Sequence, residues 1–189
     1  MKSKSVVILF LVLVALLAGA GIAYLVLSPQ AYEEADLSAI GVAAASEEDE
    51  KAPDFTVTDR EGREVSLSSL EGRPVFINFW TSWCTYCKQE MADLEQAYRT
   101  YGDRMDFMIL DATTDSRESM AKAESYIQDE GYDLPYYFDT TGQATSLYKI
   151  NVYPTSYFVD AQGNIVGSHP GLMDDSVIDE ICRILLEDY

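Results

Sequence analysis

Two cysteines separated by two residues, Cys84 and Cys87, are the groups in this sequence best suited to chemistry. They follow the apolar run Val75–Trp80 and begin a stretch of helical apolar spacing, so Cys84 is expected at a helix N-terminus. Unpaired backbone N–H groups and the helix dipole stabilise a thiolate there. Such a thiolate can attack a disulfide to form a mixed disulfide, and Cys87, one turn on, can attack the mixed bond and release the reduced product. The spacing therefore indicates reversible thiol-disulfide exchange.

The same spacing supplies half of many structural zinc sites, so a metal has to be considered. Among the remaining cysteines and histidines the sequence offers Cys182 and His169, and neither has the paired spacing of zinc ligands. Cys182 shares a helical face with Ile178 and Leu185, which is typical of a buried free thiol. We therefore predict no metal site and no cofactor.

The segments around the cysteine pair predict an α/β sheet in which strands alternate with helices. Val75–Trp80 is nearly continuously apolar and rich in β-branched and aromatic residues, as expected of a strand buried on both faces. Alternating elements followed by a hairpin and a helix imply helices on both faces of the sheet. The predicted elements are strands at 54–58, 63–67 and 75–80, a helix at 85–101, a strand at 105–110, a helix at 116–130, a strand at 136–138, a helix at 144–148, strands at 155–160 and 165–167, and a helix at 174–187.

The N-terminal region predicts a membrane anchor. Residues 6–27 form a run of 22 residues without a charge, long enough to cross a bilayer as a helix. Lys2 and Lys4 precede this run, so the positive-inside rule places the short N-terminus in the cytoplasm. A cleaved signal peptide is the alternative, because Ala18 and Ala20 provide a small-residue cleavage site. Both interpretations export the rest of the chain.

Three parts are predicted along the chain: a signal anchor at 1–27, an acidic, alanine-rich linker at 28–52 and a folded domain at 53–189. The linker contains an acidic run at 46–50 and no sustained apolar period, which is typical of a tether. The folded domain would stand away from the lipid on this tether.

The charge balance is strongly acidic, with 13 Lys and Arg against 32 Asp and Glu and a net charge of −19. A surface of this sign repels a polyanion, so nucleic-acid binding is disfavoured. The acidity is explained by a solvated surface and identifies no partner by itself.

The active-site stretch PVFINFWTSWCTYCKQEM resembles that of thioredoxin-like proteins, particularly the membrane-tethered TlpA and ResA type. The stretch APDFTVTDREGREVSLSSLEGRPVFINFW resembles the N-terminal hairpin and first core strand of the same group, and the resemblance covers most of residues 52–189. It implies a thioredoxin fold of the AhpC/TSA-redoxin and TlpA-like kind, with an N-terminal β-hairpin and an inserted strand-helix element at 105–130. It also implies a redox-active disulfide between Cys84 and Cys87.

A second landmark of that group is a loop containing a cis proline that faces the cysteine pair. The stretch Val152-Tyr153-Pro154-Thr155 resembles this loop, and the resemblance implies a cis bond at Pro154. Such a bond turns the chain sharply and leaves the backbone of Tyr153 free to pair with an extended substrate segment. An ordinary trans proline at a strand entry is the alternative. We expect Trp83, Tyr86, Tyr153 and Thr155 to contact the substrate, with Trp83 shielding the sulfur pair.

An acidic residue completes the predicted site. Glu90 lies three residues after Cys87, so the two share a helix face, and in ResA-like proteins an acid here is associated with the thiols. Glu90 could relay the proton of Cys87, or it could be a solvated glutamate that only favours the first half of the helix. Asn78 occupies the strand position where thioredoxin itself carries a buried acid, which makes Glu90 the more plausible substitute.

The resemblance implies a bacterial, single-pass membrane enzyme with its thioredoxin-like domain outside the cytoplasm. It would reduce disulfides in exported proteins, apocytochrome c being the best-known client type, and a membrane thiol carrier of the CcdA kind would re-reduce it. A peroxiredoxin-like peroxidase is one alternative, because residues 81–84 supply a TxxC, although the longer PxxxTxxC pattern fails at Ile77. A disulfide donor and a tethered binding module are the others.

Overall fold

The computed structural model describes residues 43–44 and 50–187. The apolar segment predicted as a membrane anchor at 6–27 and most of the predicted linker at 28–52 lie outside these residues. Within the part of the chain that the structure describes, none of the helices combines the length and the apolarity needed to cross a membrane.

The described residues form a mixed sheet with helices packed on both faces. Its strand order is β1-β8-β7-β4-β5-β6-β2-β3. The strands are β1 (Ala43–Ala44), β2 (Thr56–Asp59), β3 (Glu64–Ser66), β4 (Val75–Trp80), β5 (Asp106–Asp111), β6 (Tyr136–Phe138), β7 (Thr155–Val159) and β8 (Ile165–Pro170). The helices are α1 (Thr85–Tyr101), α2 (Met120–Glu130), α3 (Gln143–Leu147) and α4 (Asp175–Glu187), with a 3₁₀ turn at Leu67–Leu70.

Strand β4 lies in the interior of the sheet, as its apolar sequence predicts. All six of its residues are buried, and it pairs with β5 in parallel and with β7 in antiparallel orientation. The pairings place Trp80 opposite Asp111 on one side and Phe79 opposite Thr155 on the other. The loop that follows β4 therefore begins between the ends of two neighbouring strands.

Alternate residues of β4 face two separate core layers. Phe76 and Trp80 pack with buried residues of α1, α2 and α4, whereas Ile77 and Phe79 pack with the N-terminal hairpin and α3. This alternation is the two-residue period of a strand, and it confirms helices on both faces. It also places Asn78 on the same face as α1.

The predicted helix at 116–130 begins later than expected. Helix α2 begins at Met120, and Ser119 is its N-cap, with its hydroxyl accepting from the backbone N–H of Lys122. The carboxylate of Asp115 accepts from the backbone N–H of Arg117, which holds the preceding residues in a turn. The prediction of a start at 116 is wrong because local side-chain hydrogen bonds compete with the helix there.

The N-terminal hairpin and the strand-helix element predicted at 105–130 are both formed. Strand β5 of that element is interior, and α2 leads from it to β6. The hairpin β2–β3 then joins the sheet through antiparallel pairing of β2 with β6. The hairpin thus lies on the opposite side of β5 from β4, the strand that precedes the cysteines.

Candidate active site

The two cysteines predicted to carry the chemistry are joined as a disulfide at the start of α1. Their Cα atoms lie 5.3 Å apart, and Cys84 is the N-cap of the helix. The backbone N–H of Cys87 donates to the sulfur of Cys84 over 3.1 Å. Cys84 is 5% exposed and Cys87 is 1% exposed. The N-terminal cysteine is therefore both the more accessible and the one nearest the free N–H groups of the helix.

The loop before Cys84 is held by a buried glutamate that the sequence analysis did not identify. The Ser82 hydroxyl donates to the carboxylate of Glu118 over 2.9 Å, and the backbone N–H of Ser82 donates to the same carboxylate. A third hydrogen bond comes from the backbone N–H of Ser119, at 2.8 Å. Glu118 and Ser82 are 36 residues apart in the chain, and no local pattern links them.

Trp83, the residue directly before Cys84, contacts side chains from two other loops. The ring of Trp83 meets that of Tyr153 edge-on at 6.0 Å, and the guanidinium of Arg117 lies 3.3 Å from the centre of the Trp83 ring. Trp83 is only partly exposed, whereas Tyr86 is 61% exposed. Among the predicted substrate contacts, Tyr86 thus offers the open aromatic surface, and Trp83 is held in place by neighbours.

The cis proline loop forms as predicted. The Tyr153–Pro154 peptide bond is cis, and the carbonyl of Pro154 accepts from the backbone N–H of Gly171 over 2.8 Å. Thr155 is buried and begins β7, and its hydroxyl donates to the carbonyl of Val152 over 2.9 Å. The side chain of Thr155 therefore braces the loop, and the ring contact between Tyr153 and Trp83 brings the loop to the cysteine pair.

Glu90 is fully buried, so the alternative of a solvated glutamate is wrong. Burial raises the pKa of its carboxyl to about 8, and nearby Asp93 acts in the same direction. The backbone of Met173 and the side chain of Asn78 lie close enough to favour the charged form, and so lower the pKa. Neither carboxyl oxygen has a partner in normal hydrogen-bonding geometry among residues 50–187. A carboxyl in this position can exchange a proton near neutral pH.

Asn78 lies where the resemblance to thioredoxin places a buried acid. Its amide donates to the hydroxyl of Ser156 on the neighbouring strand β7 over 3.0 Å. Asn78 therefore adds no charge to this face of the sheet. Glu90, which helix α1 supplies, is a buried acid on this face of the sheet.

A second buried acid, Asp111, was missed by the sequence analysis. It ends β5 opposite Trp80, and burial raises its pKa to about 8, with the negative charge of Glu118 as the next cause. One of its carboxyl oxygens is unpaired among the described residues, and the other lies 3.3 Å from the hydroxyl of Thr113. The available signal was an aspartate that closes an apolar strand at the edge where the cysteines lie.

The described part of the chain contains no cluster of metal ligands. Within residues 43–44 and 50–187, no group of three or more His, Cys, Asp or Glu side chains is arranged to hold a metal ion.

A central strand, a disulfide at the following helix N-terminus and a facing cis proline define a thioredoxin-like protein with a dithiol site. Residues 49–168 match the AhpC/TSA family. The chain is 30% identical over 140 residues to the thiol-disulfide oxidoreductase ResA of Bacillus anthracis, covering 74% of each chain. The chain therefore belongs to the AhpC/TSA family, among the thiol-disulfide oxidoreductases of the ResA type.

Two solved structures show the same architecture. A thiol:disulfide interchange protein of Chlorobium tepidum superposes with a TM-score of 0.66 at 26% identity, over 75% of this chain and 99% of that one. The exposed lipoprotein thioredoxin Etrx1 of Streptococcus pneumoniae superposes with a TM-score of 0.63 at 28% identity, over 69% of this chain and 98% of that one. Both comparisons confirm the thioredoxin-like fold.

Proposed function

We propose that this protein is an extracytoplasmic reductase that transfers electrons from the Cys84 and Cys87 thiols to disulfides in exported proteins. The observation that carries the proposal is the position of Cys84, which is the N-cap of α1 and the more exposed partner of a disulfide with Cys87. A helix N-terminus favours the thiolate over the thiol, and the thiolate is the attacking species.

The reaction begins with the reduced protein. The Cys84 thiolate attacks one sulfur of the client disulfide, so that a mixed disulfide forms and the other client sulfur leaves as a thiolate. Cys87 then loses its proton and attacks the sulfur of Cys84, which releases the second client thiolate. Two electrons have passed to the client, whose thiolates take up protons, and the Cys84–Cys87 disulfide remains. This disulfide is the form present in the structure.

Glu90 is the group proposed to accept the proton of Cys87. It lies one turn further along α1, is buried, and has a pKa raised to about 8 by that burial. A base whose pKa is close to the working pH is efficient in both proton directions. The same carboxyl would return the proton when the disulfide is reduced again.

An extended client segment is proposed to dock beside the cis proline. The backbone of Tyr153 would pair with the segment as an added strand, as in other modes of β-strand addition. Trp83 and Tyr86 would cover its side chains next to the sulfurs, because one ring is held in place and the other is open to solvent. Thr155 would act through the loop that its hydroxyl braces.

The proposed location is the outer face of a bacterial cell membrane, with residues 6–27 as a single-pass anchor. The uncharged length of that segment supports the anchor. A similar protein is named an exposed lipoprotein, and the matching relatives are named ResA, which is consistent with work outside the cytoplasm. There the disulfide has to be re-reduced across the membrane, and we propose a dithiol carrier of the CcdA kind for that step. Apocytochrome c is the proposed client type.

The test is disulfide reduction by the full chain in detergent, with a disulfide-bonded peptide of apocytochrome type as substrate and dithiothreitol as electron source. Cys84→Ser should abolish reduction, and Cys87→Ser should trap the mixed disulfide. The matched control is Cys182→Ala, which removes a buried thiol in α4 and should leave the rate unchanged.

Two results would contradict the proposal. Reduction that survives Cys84→Ser would remove the thiolate from the mechanism. Peroxide consumption that survives Cys87→Ser, without reduction of the peptide, would make the protein a peroxidase. A redox titration against glutathione would show the direction of net electron flow, because a strongly oxidising potential would indicate a disulfide donor.

A further inference from the structure

The segment between β5 and α2 contacts the loop before Cys84 at two neighbouring residues. Glu118 accepts hydrogen bonds from Ser82, and Arg117 places its guanidinium 3.3 Å from the centre of the Trp83 ring. The first contact holds the backbone of the loop. The second covers one face of the aromatic ring that adjoins the nucleophilic cysteine.

Arg117 is a surface side chain, but its position is set by three contacts with two neighbouring residues, Asp115 and Lys122. Its backbone N–H donates to the carboxylate of Asp115 over 2.9 Å, and its guanidinium pairs with the same oxygen at 3.4 Å. Its backbone carbonyl accepts from the ammonium of Lys122 over 2.6 Å. A long side chain held in this way loses less entropy when it stacks on a ring than a free one does.

Trp83 therefore has a cation on its face and the ring of Tyr153 at its edge. Tyr153 is joined to Pro154 by the cis bond. The contacts form a series from Arg117 through Trp83 to Tyr153, and they connect the three loops that surround the disulfide. Removal of the cation leaves Trp83 with the ring of Tyr153 and with its packing against the buried core, and uncovers the face of the ring that Arg117 had occupied.

We propose that Arg117 is a positioning residue that holds Trp83 against Tyr153 and thereby shapes the docking surface for an extended protein client. The inference rests on the proposed function and deepens it. A small disulfide reaches Cys84 without using this surface, so it depends less on Arg117 than a peptide does. Arg117 acts through Trp83 and not on the reacting sulfurs.

The kinetic test compares Arg117→Ala with the full-length wild type on two substrates, a disulfide-bonded peptide and oxidised glutathione. We expect KM for the peptide to rise about three- to tenfold, in the range of a partly desolvated cation–π contact, with a much smaller change in kcat. Oxidised glutathione should show a clearly smaller loss. Equal losses on the two substrates, or none on the peptide, would overturn the proposal.

A second measurement reads the ring directly. The protein has two tryptophans, and Trp80 is fully buried, so acrylamide quenching of the fluorescence reports on Trp83. Arg117→Ala should at least double the quenching constant, and Arg117→Lys, which keeps the charge but lacks the planar group, should lie between the alanine variant and the wild type. Unchanged quenching in Arg117→Ala would show that Arg117 does not hold the ring.

Arg104→Ala is the matched control, because Arg104 lies over the ring of Tyr101 at 5.4 Å, at the far end of α1 from the cysteines. It should change neither the peptide KM nor the quenching. If the wild type reduces neither substrate, the proposed function fails, and quenching still decides whether Arg117 positions Trp83. If the wild type is active and Arg117→Ala matches it in both measurements, the positioning role alone fails.

Discussion

Replacement of Glu90 by Gln should change how stability depends on pH. Its pKa is raised from an ordinary value of 4.5 to about 8 by burial, so folding favours the neutral carboxyl. A carboxyl raised in this way contributes its full stability below the unfolded pKa and loses it as the pH rises through the folded pKa. The wild type should therefore become less stable between pH 5 and pH 8 because Glu90 ionises readily only in the unfolded chain.

The size of this effect follows from the two pKa values. With about 1.4 kcal/mol for each pH unit, the loss of stability attributable to Glu90 between pH 5 and pH 8 is about 3–4 kcal/mol. Gln has nearly the same shape as Glu but does not ionise, so Glu90→Gln should lack the part of the stability loss that comes from Glu90. The prediction concerns the difference in stability between pH 5 and pH 8. Any contribution that the Gln amide makes equally at both pH values therefore cancels.

The assay is urea unfolding of the oxidised full chain in a non-ionic detergent, followed by circular dichroism at pH 5 and pH 8. The disulfide keeps Cys84 and Cys87 from titrating, and burial raises the pKa of Cys182 to about 12, beyond the range used. Glu130→Gln, an exposed glutamate at the end of α2, is the control for loss of one negative charge. A wild-type fall in stability that Glu90→Gln retains in full would refute the assignment of the buried proton to Glu90.

Three further changes test the surroundings of the site. Asp111→Asn should remove a second fall in stability over the same pH range, since burial raises the Asp111 pKa to about 8; a pH dependence equal to that of the wild type would contradict this. Glu118→Ala should cost about 2–4 kcal/mol in urea unfolding, because the backbone N–H of Ser82 loses a charged partner; a cost below about 0.5 kcal/mol would refute that role. Met91→Ala should cost about 2–5 kcal/mol through a cavity beneath α1, against little for the exposed Met120→Ala.

The sequence was sufficient where the determining contacts are local. The apolar run of β4, the cysteine spacing and the helical period of α1 each lie within one continuous segment. The structure confirms the buried strand, the pairing of Cys84 with Cys87 and the helix that they predict. The cis bond at Pro154 was predicted from a resemblance. The burial of Glu90 had a local signal as well, because Cys87, Glu90 and Leu94 fall on one helix face.

The contacts that hold the site together could not be predicted from local sequence patterns. Glu118 and Arg117 lie in a polar run that reads as the start of a helix, and their partners Ser82 and Trp83 come from a different loop. A charged side chain in such a run can point to solvent or to a neighbouring loop. Which of the two occurs depends on how close the ends of the two preceding strands lie to each other. The pairing of Trp80 with Asp111 at adjacent strand ends decides it here, and pairing between strands is not a local property of the chain.

The buried acid beside Asn78 is supplied by helix α1 and not by strand β4. Asn78 and Glu90 approach the same side of the sheet from β4 and α1, and the strand position, where thioredoxin carries its acid, holds an amide that bonds to Ser156. If the acid were on the strand, its separation from Cys87 would depend on how the helix packs on the sheet. Glu90 and Cys87 are three residues apart in one helix, so their separation is set by helix geometry. The proposed proton acceptor would therefore stay with Cys87 if α1 shifted when the disulfide opened.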